Sequence, residues 1–186
     1  MESKRKLVLV MRGLPGSGKS TYLQKILDEL REEENLRGLP EPGRVLRTIC
    51  SADDFHMKDG KYQFDPKNAP IAHRECLRQF LAATQRGDSL VVVDNTNVSQ
   101  WEYVQYVNIA QVHDYDVRII EFDTPVEVSI ERNIHGVPAE VIRGMAARWE
   151  EVLPWHRDMV VVNSVESTIR VFFNVLEKQR KEKLTD

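Results

Sequence analysis

The sequence has few cysteines, no long hydrophobic run and no signal-peptide pattern. Its only cysteines, Cys50 and Cys76, are far apart and lack the spacing of metal ligands. This scarcity predicts a reducing intracellular setting, cytoplasmic with a nuclear location also open. No stretch is apolar over the length that crosses a bilayer, and residues 1–6 are mostly polar or charged. We therefore expect no association with a membrane.

Positive charge is not in excess either. The chain has 26 lysines and arginines against 29 aspartates and glutamates, and its formal net charge is −3. This balance argues against a protein that coats nucleic acid generally, but it is compatible with a local site that makes a few phosphate contacts. The length of 186 residues predicts a single domain, 1–186. No pattern in the chain specifies an oligomeric state.

The most informative stretch is a glycine-rich loop that fits G-x-x-x-x-G-K-[ST] at every fixed position. An apolar run precedes it and a helix-forming run follows it, as a phosphate-binding loop between a strand and a helix requires. Glycines let backbone N–H groups turn inward around a phosphate, and the helix N-terminus directs further N–H groups at the same oxygens. The sequence therefore predicts a nucleoside triphosphate site, with ATP as the default nucleotide, formed by Gly13, Pro15, Gly16, Ser17, Gly18, Lys19, Ser20 and Thr21.

Apolar runs alternate with helix-forming runs along the chain. Strands are predicted at 7–11, 45–50, 89–93, 117–122 and 159–162. Helices are predicted at 21–31, 65–85, 100–112, 124–133, 138–151 and 165–183, with a small hairpin at 57–64. This alternation predicts an α/β fold with a doubly wound parallel five-stranded sheet flanked by helices, of P-loop kinase type with a helical lid. Ligands of such a sheet bind at the carboxyl ends of its strands.

Acidic and amide side chains follow the second and third predicted strands. A carboxylate after strand two can hold an acceptor hydroxyl in line with a γ-phosphoryl group and take its proton. We predict Asp53 as this base and Asp54 as a helix-start or positioning carboxylate, with simple helix caps as the alternative for both. After strand three come Asp94, Asn95, Thr96 and Asn97. The last three are expected to orient the acceptor or to tie neighbouring loops together.

The predicted site also supplies ligands for Mg²⁺. Lys19 is expected to bind the β- and γ-phosphates, and the Ser20 hydroxyl and the Asp94 carboxylate are the predicted Mg²⁺ ligands. For Asp94, a polar strand end that caps the next turn is the alternative. Cations of a lid after strand four would meet the charge of the transferred group. Arg132 is the best candidate for this role, with His135, Arg143 and Arg148 nearby in the sequence and a solvated helix face as the alternative for each.

Four blocks in this order resemble the 5′-hydroxyl polynucleotide kinase family. They are residues 12–21, 51–54 (Ser-Ala-Asp-Asp), 94–97 (Asp-Asn-Thr-Asn) and 132–138 (Arg-Asn-Ile-His-Gly-Val-Pro). The likeness to the phage polynucleotide kinase domain covers most of residues 6–150, and the kinase-like domain of the Nedd-binding protein family is also similar. It implies ATP- and Mg²⁺-dependent phosphorylation of the 5′-hydroxyl of RNA or DNA, with Asp53 as the base. Lys19, Ser20 and Arg132 match the family's phosphate, Mg²⁺ and lid residues.

The sequence departs from the phage pattern at three positions. His56 stands where the phage enzyme has an arginine that grips the phosphate next to the acceptor hydroxyl. His135 falls near a second lid arginine, in a shorter loop, and Asn95 aligns with an aspartate. We assign the acceptor to Asp53, Asp54, His56, Asn95, Thr96, Asn97 and His135.

Two other functions fit the same residues. A small-metabolite or nucleoside kinase shares this fold, and the negative net charge mildly favours it. A nucleotide-dependent binding module is the second alternative, because fold alone does not select a function.

Overall fold

The structure is a computed structural model that describes residues 6–36, 47–58, 61–62, 65–134 and 136–161, together with residues 168 and 170. The main strands are β1 (Lys6–Arg12), β2 (Arg47–Cys50), β5 (Leu90–Asp94), β6 (Tyr115–Glu121) and β7 (Val160–Val161). A hairpin consists of β3 (Met57–Lys58) and β4 (Lys61–Tyr62). The helices are α1 (Lys19–Leu36), α2 (Ala69–Arg86), α3 (Gln100–Val112), α4 (Val126–Arg132) and α5 (Ala139–Ala147).

The five main strands form one parallel sheet in the order β2-β5-β1-β6-β7. β1 lies at its centre, where Leu9 pairs with Val92 of β5 and with Arg118 of β6. Because the strands run in the same direction, the loops that follow β1, β2 and β5 meet at one edge. The predicted five-stranded parallel sheet flanked by helices is confirmed.

Helices cover both faces of this sheet, which explains why β1 and β5 are apolar at successive positions. On one face Leu9 packs with Ile26 of α1, and on the other Val8 packs in a cluster with Phe80 of α2 and Tyr106 of α3. All five side chains are at most 1% exposed. Each contributes about 1.5–3 kcal/mol through burial, so the sheet edge that carries the loops is a stable platform.

Most helix boundaries follow the sequence signals. Gly87 ends α2 with φ of 80°, and its N–H donates to the carbonyls of Ala83 and Thr84, as a left-handed C-terminal residue does. Ser99 and Glu102 form the capping box of α3. The predicted terminal helix at 165–183 lies almost entirely outside the described residues. Within that range only Thr168 and Arg170 are described, and both are helical.

The predicted helix at 138–151 was too long. Pro138 is the N-cap of α5, and the helix ends at Ala147. The chain leaves the helix because the backbone of Glu150 bonds elsewhere: its N–H donates to the Val98 carbonyl (2.9 Å), and its carbonyl accepts from Arg12 (2.7 Å). A 3₁₀ turn, Pro154–Met159, then leads into β7 and was not predicted. Within the described ranges, no helix has the length and apolar character needed to cross a bilayer.

Candidate active site

A cavity of about 1000 Å³ lies at the carboxyl ends of β1, β2 and β5. One end, called here the phosphate-loop end, is lined by residues 15–22. A second part of the lining, called here the Asp53 end, comes from three separate elements and consists of Ala52, Asp53, His56, Ala69, Ala72, His73, Asp94, Asn95 and Thr96. The helix pair α4–α5 closes one side, where the sequence predicts a lid. The topology therefore brings most of the predicted site residues to one cavity.

The phosphate loop is shaped by glycines that no other residue could replace without strain. Gly16 and Gly18 have φ of 79° and 97°, in the left-handed region that favours glycine. A Cβ atom on Gly16 would lie 2.1 Å from the carbonyl oxygen of Ser129, so the loop packs directly against α4. Thr124 fastens the same loop by donating its hydroxyl to the Ser17 carbonyl (3.0 Å). These contacts fix the backbone conformation of the loop, which leads into the N-terminus of α1.

Lys19 is the buried cation of this loop, with only 9% of its surface exposed. Its Nζ donates to the carbonyl oxygens of Gly13 and Leu14, both at 2.9 Å. Burial lowers the pKa of Lys19 below its ordinary value, while the carboxylates of Asp94 and Asp53 act in the opposite direction. An anion in the cavity would favour the charged ammonium further.

Ser20 and Asp94 bring two oxygen ligands together beside Lys19. The Ser20 hydroxyl donates to Oδ2 of Asp94 at 3.3 Å, which joins the start of α1 to the end of β5. Burial raises the pKa of Asp94; Lys19 and the hydrogen bond from Ser20 lower it, and Asp53 and Asp54 raise it. A hydroxyl and a carboxylate are the oxygen donors that Mg²⁺ prefers.

Asp53 and Asp54 begin a 3₁₀ turn, Asp53–His56, separated from the end of β2 by two residues. Asp53 lines the cavity, whereas Asp54 does not. Burial raises the pKa of Asp54, and repulsion from Asp53 adds to the shift. Of the two predicted acidic residues, only Asp53 therefore lines the cavity that also contains the phosphate loop.

The three residues after Asp94 differ in what they do. Asn95 and Thr96 line the cavity. The Asn95 amide is bonded on both sides to protein groups, and the Thr96 carbonyl accepts from the Gly13 N–H at 2.9 Å. Asn97 lies outside the lining; its Nδ2 donates to the Met11 carbonyl at 2.8 Å, and it has φ of 47°. These bonds tie neighbouring loops together, which is one of the two roles that the sequence left open.

Two histidines line the Asp53 end. His56 is 3% exposed and lines the cavity, and His73 of α2 lines it as well. No lysine or arginine lines this end within the described part of the chain. Sequence analysis missed His73. The available signal was its position about one helical turn after the start of α2.

On the lid side, Arg132 is the last residue of α4 and lines the cavity with an exposed side chain. Arg143 does not line it; its guanidinium bonds both oxygens of Glu127 (3.0 and 3.1 Å), which joins α5 to α4. Arg148 is exposed and also lies outside the lining. His135 lies outside the described residues. Arg132 is thus the predicted lid cation that the fold brings to the cavity.

Arg12 is the buried cation that sequence analysis did not single out. Its side chain is fully buried and donates to the carbonyls of Asn97 (2.7 Å), Val98 (3.1 Å) and Glu150 (2.7 Å) and to the Glu121 carboxylate. The rings of Tyr103 and Trp149 lie 4.8 and 4.6 Å from it. A charged residue that ends an otherwise apolar strand was the available signal. Arg12 joins the base of the phosphate loop to the segments after β5 and α5.

The family model described as an AAA domain (AAA_33) matches residues 8–152. Human NEDD4-binding protein 2 is 39% identical over 150 residues, which are 77% of this chain and 8% of that protein. A protein of Autographa californica nuclear polyhedrosis virus, described as a proposed bifunctional polynucleotide kinase/RNA ligase, is 28% identical over 134 residues, 69% of this chain and 18% of its own length. The chain thus spans less than a fifth of the length of either relative.

The fold is also that of solved kinase structures. The structure of the Mycobacterium tuberculosis APS kinase CysC in complex with AMPPNP and APS has a TM-score of 0.56 and 17% identity, and covers 93% of this chain and 98% of that one. At this identity the likeness shows the fold alone. With the family model matched over residues 8–152, the chain belongs to the AAA domain family, and the predicted P-loop kinase fold is confirmed.

Proposed function

We propose that this chain transfers the γ-phosphoryl group of ATP to the 5′-hydroxyl of RNA or DNA, with Mg²⁺ as cofactor. The observation that carries the proposal is that one cavity is lined by Lys19 and Ser20 of the phosphate-loop end and by Asp94 and Asp53 of the Asp53 end, with Asp94 bonded to Ser20. A phosphoryl donor and a hydroxyl acceptor need these two sets of groups on opposite sides of the transferred group.

The residues at the phosphate-loop end fit ATP and Mg²⁺. Gly16 and Gly18 leave backbone N–H groups free of side-chain obstruction at the N-terminus of α1, where a triphosphate binds. Ser20 and Asp94 would hold Mg²⁺, since their oxygens lie 3.3 Å apart and face the same cavity. When bound, Mg²⁺ neutralises phosphate charge and makes the γ-phosphoryl group easier to attack.

The chain's own residues then perform the remaining steps. Asp53 accepts the proton from the acceptor hydroxyl as that oxygen bonds to the γ-phosphorus and the bond from phosphorus to the bridging oxygen of ADP breaks. Lys19 exchanges its bonds with the loop carbonyls for phosphate oxygens, so its charge becomes available to the donor. Arg132 meets the charge that spreads over the transferred group from the lid side.

Support for a nucleic-acid acceptor comes from the sequence blocks and from the viral relative described as a proposed polynucleotide kinase/RNA ligase. His56 in its protonated form can bind a phosphate near the acceptor hydroxyl.

A small acceptor is the second candidate, and one observation favours it. The described lining of the Asp53 end has histidines but no lysine or arginine, whereas a polyanion is usually held by fixed positive charge.

The experiment measures transfer of labelled γ-phosphate from ATP, with Mg²⁺, to 5′-hydroxyl RNA and DNA oligonucleotides. Matched oligonucleotides with a 5′-phosphate test the position of transfer, and nucleosides and small polyols test the second candidate. Lys19→Ala is the control against a contaminating kinase. We expect label on the 5′-hydroxyl oligonucleotides alone, lost in Lys19→Ala.

Label only on a small acceptor would replace the proposed substrate with a metabolite or nucleoside. ATP binding without transfer to any hydroxyl would overturn the proposed reaction and favour a nucleotide-dependent binding module.

A further inference from the structure

The Asn95 side chain connects three elements at the Asp53 end of the cavity. It follows β5 directly and is 7% exposed. Its Oδ1 accepts the N–H of Ala52 at 2.9 Å, and its Nδ2 donates to Sγ of Cys76, in α2, at 3.3 Å. One side chain therefore connects the strand that ends in Asp94, the turn that begins at Asp53 and the helix that lines the acceptor side.

A second contact fastens the same turn to β5. The Ser51 hydroxyl donates to the carbonyl of Asp94 at 3.0 Å and accepts the N–H of Asp53 at 3.2 Å. The backbone on either side of the Ala52–Asp53 peptide is thus anchored to the residues that end β5. Because Asp94 also contacts Ser20, the turn is fixed relative to the phosphate loop as well.

The Ala52 N–H determines which way the Asn95 amide points, and the Cys76 sulfur accepts from the nitrogen on the other side. An amide can turn its oxygen or its nitrogen toward Ala52, but only the oxygen can accept an N–H. The sulfur holds the nitrogen on the other side, and the Tyr106 hydroxyl also donates to this sulfur at 3.4 Å. Burial raises the pKa of the Cys76 thiol, which keeps the sulfur neutral beside the carboxylates of the cavity.

We infer that Asn95 and Cys76 are positioning residues, which hold the Asp53 turn against β5 through the bonds from Ala52 to Asn95 and from Asn95 to Cys76. This inference rests on the proposed function for its catalytic meaning. Asn95 therefore acts through Asp53 and does not bind the acceptor itself. Helix α2 carries Ala72 and Cys76 one turn apart, so the wall that meets the acceptor and the support of the proposed base are one rigid element.

The test compares Asn95→Ala and Cys76→Ala with Cys50→Ala in the full chain. Cys50 is a fully buried residue of the same core cluster, three residues before Asp53, and its thiol makes no hydrogen bond within the described part of the chain. Hydrogen exchange at the Ala52 amide, measured by NMR without nucleotide, is expected to speed up about tenfold in Asn95→Ala and several-fold in Cys76→Ala. Cys50→Ala should stay within about twofold of the unmodified chain.

Transfer kinetics supply the second measurement. We expect kcat to fall about tenfold in Asn95→Ala, with the KM for ATP within about twofold of that of the unmodified chain. Cys76→Ser keeps an acceptor atom, so its kcat should recover most of the loss seen in Cys76→Ala. Unchanged exchange at Ala52, or an equal change in Cys50→Ala, would overturn the inference. Should the unmodified chain transfer to no acceptor, the proposed function fails while the exchange rates still decide the inference. Cys76→Ala keeps the test open if Asn95→Ala does not fold.

Discussion

The two ends of the cavity are built in different ways. Residues 15–22 are consecutive in the chain, and they form the phosphate-loop end as one turn between β1 and α1. The Asp53 end is assembled from the turn after β2, from α2 and from the loop after β5, elements up to 44 residues apart (Ala52 to Thr96). The first end depends on local backbone geometry, whereas the second depends on bonds between elements, such as those of Asn95. Substitutions should therefore affect the two ends separately unless they remove a residue that joins them.

The two ends carry buried groups of opposite charge, Lys19 and Asp94, and burial shifts the pKa of both. Burial lowers the pKa of Lys19 at the phosphate-loop end and raises that of Asp94 at the Asp53 end, so each shift disfavours the charged form. A phosphate beside Lys19 and a cation beside Asp94 would each reverse the shift. The cavity is therefore arranged to gain electrostatic energy when a nucleotide and its metal bind together.

The largest expected effect comes from Arg12, because this residue joins the base of the phosphate loop to the segments that follow β5 and α5. Arg12→Met leaves three buried carbonyls without their donor, and we expect the free energy of unfolding to fall by about 3 kcal/mol or more. Both ATP binding and transfer should be impaired together. Denaturant unfolding measures the first effect and titration with ATP the second. Arg157→Met, at an exposed ion pair with Glu151, is the control and should leave stability within about 0.5 kcal/mol.

Lys19→Ala should break the phosphate-loop end alone. The variant loses the charge for the donor phosphates, so transfer is expected to fall by about 10²- to 10³-fold. ATP affinity, measured by calorimetry, should fall as well. The fold should persist, because burial already disfavours the charged form of Lys19. Loss of transfer through unfolding would contradict this separation of the two ends, and the far-ultraviolet circular dichroism spectrum would detect it.

A smaller effect is expected from Arg132→Ala on the lid side. Arg132 is exposed, so its removal should lower kcat by about 10- to 100-fold and leave the free energy of unfolding almost unchanged. Arg143→Ala is the matched control, because Arg143 is an exposed arginine of the same helix pair that bonds Glu127 outside the cavity. Equal kinetic losses in both variants would assign the effect to packing of α4 and α5 and remove Arg132 from the mechanism.

The smallest effect concerns Asp54, whose pKa is raised by burial and by Asp53. A carboxyl with a raised pKa in the folded state lowers stability as the pH rises through that value. Asp54→Asn should therefore stabilise the chain at pH 7 by no more than about 0.5 kcal/mol, a figure discounted for partial solvent exposure. The gain should vanish at about pH 3 and below, where the unfolded-state aspartate is also protonated. Unfolding curves at about pH 3 and pH 7 measure the difference.

What the sequence predicts follows the same division. The alternation of strands and helices and the place of the glycine-rich loop between β1 and α1 depend on local signals, namely apolar runs and the glycine pattern, and both agree with the structure. The long helix predicted at 138–151 failed because no local signal reports that Glu150 bonds Val98 and Arg12, which are distant in the sequence. Tertiary hydrogen bonds determined where that helix ended.

The Asp53 end was predictable only as a set of residue types. The alternation of strands and loops predicted that Asp53 and Asp94 lie at one edge of the sheet. It did not predict which of the neighbouring residues line the cavity. Asn97 has the same side chain as Asn95 and turns away from the lining, because its amide bonds the Met11 carbonyl. The roles assigned to the site residues and the single domain 1–186 stay predictions.

The measurement that most directly tests the separation of the two ends uses Asp53→Asn, with ATP affinity and phosphoryl transfer determined on the same preparation. We predict an ATP dissociation constant within about twofold of the unmodified chain and a loss of transfer of about 10²-fold or more, because the asparagine cannot take the proton of the acceptor hydroxyl. Near-normal turnover, or a parallel loss of ATP binding, would contradict the account.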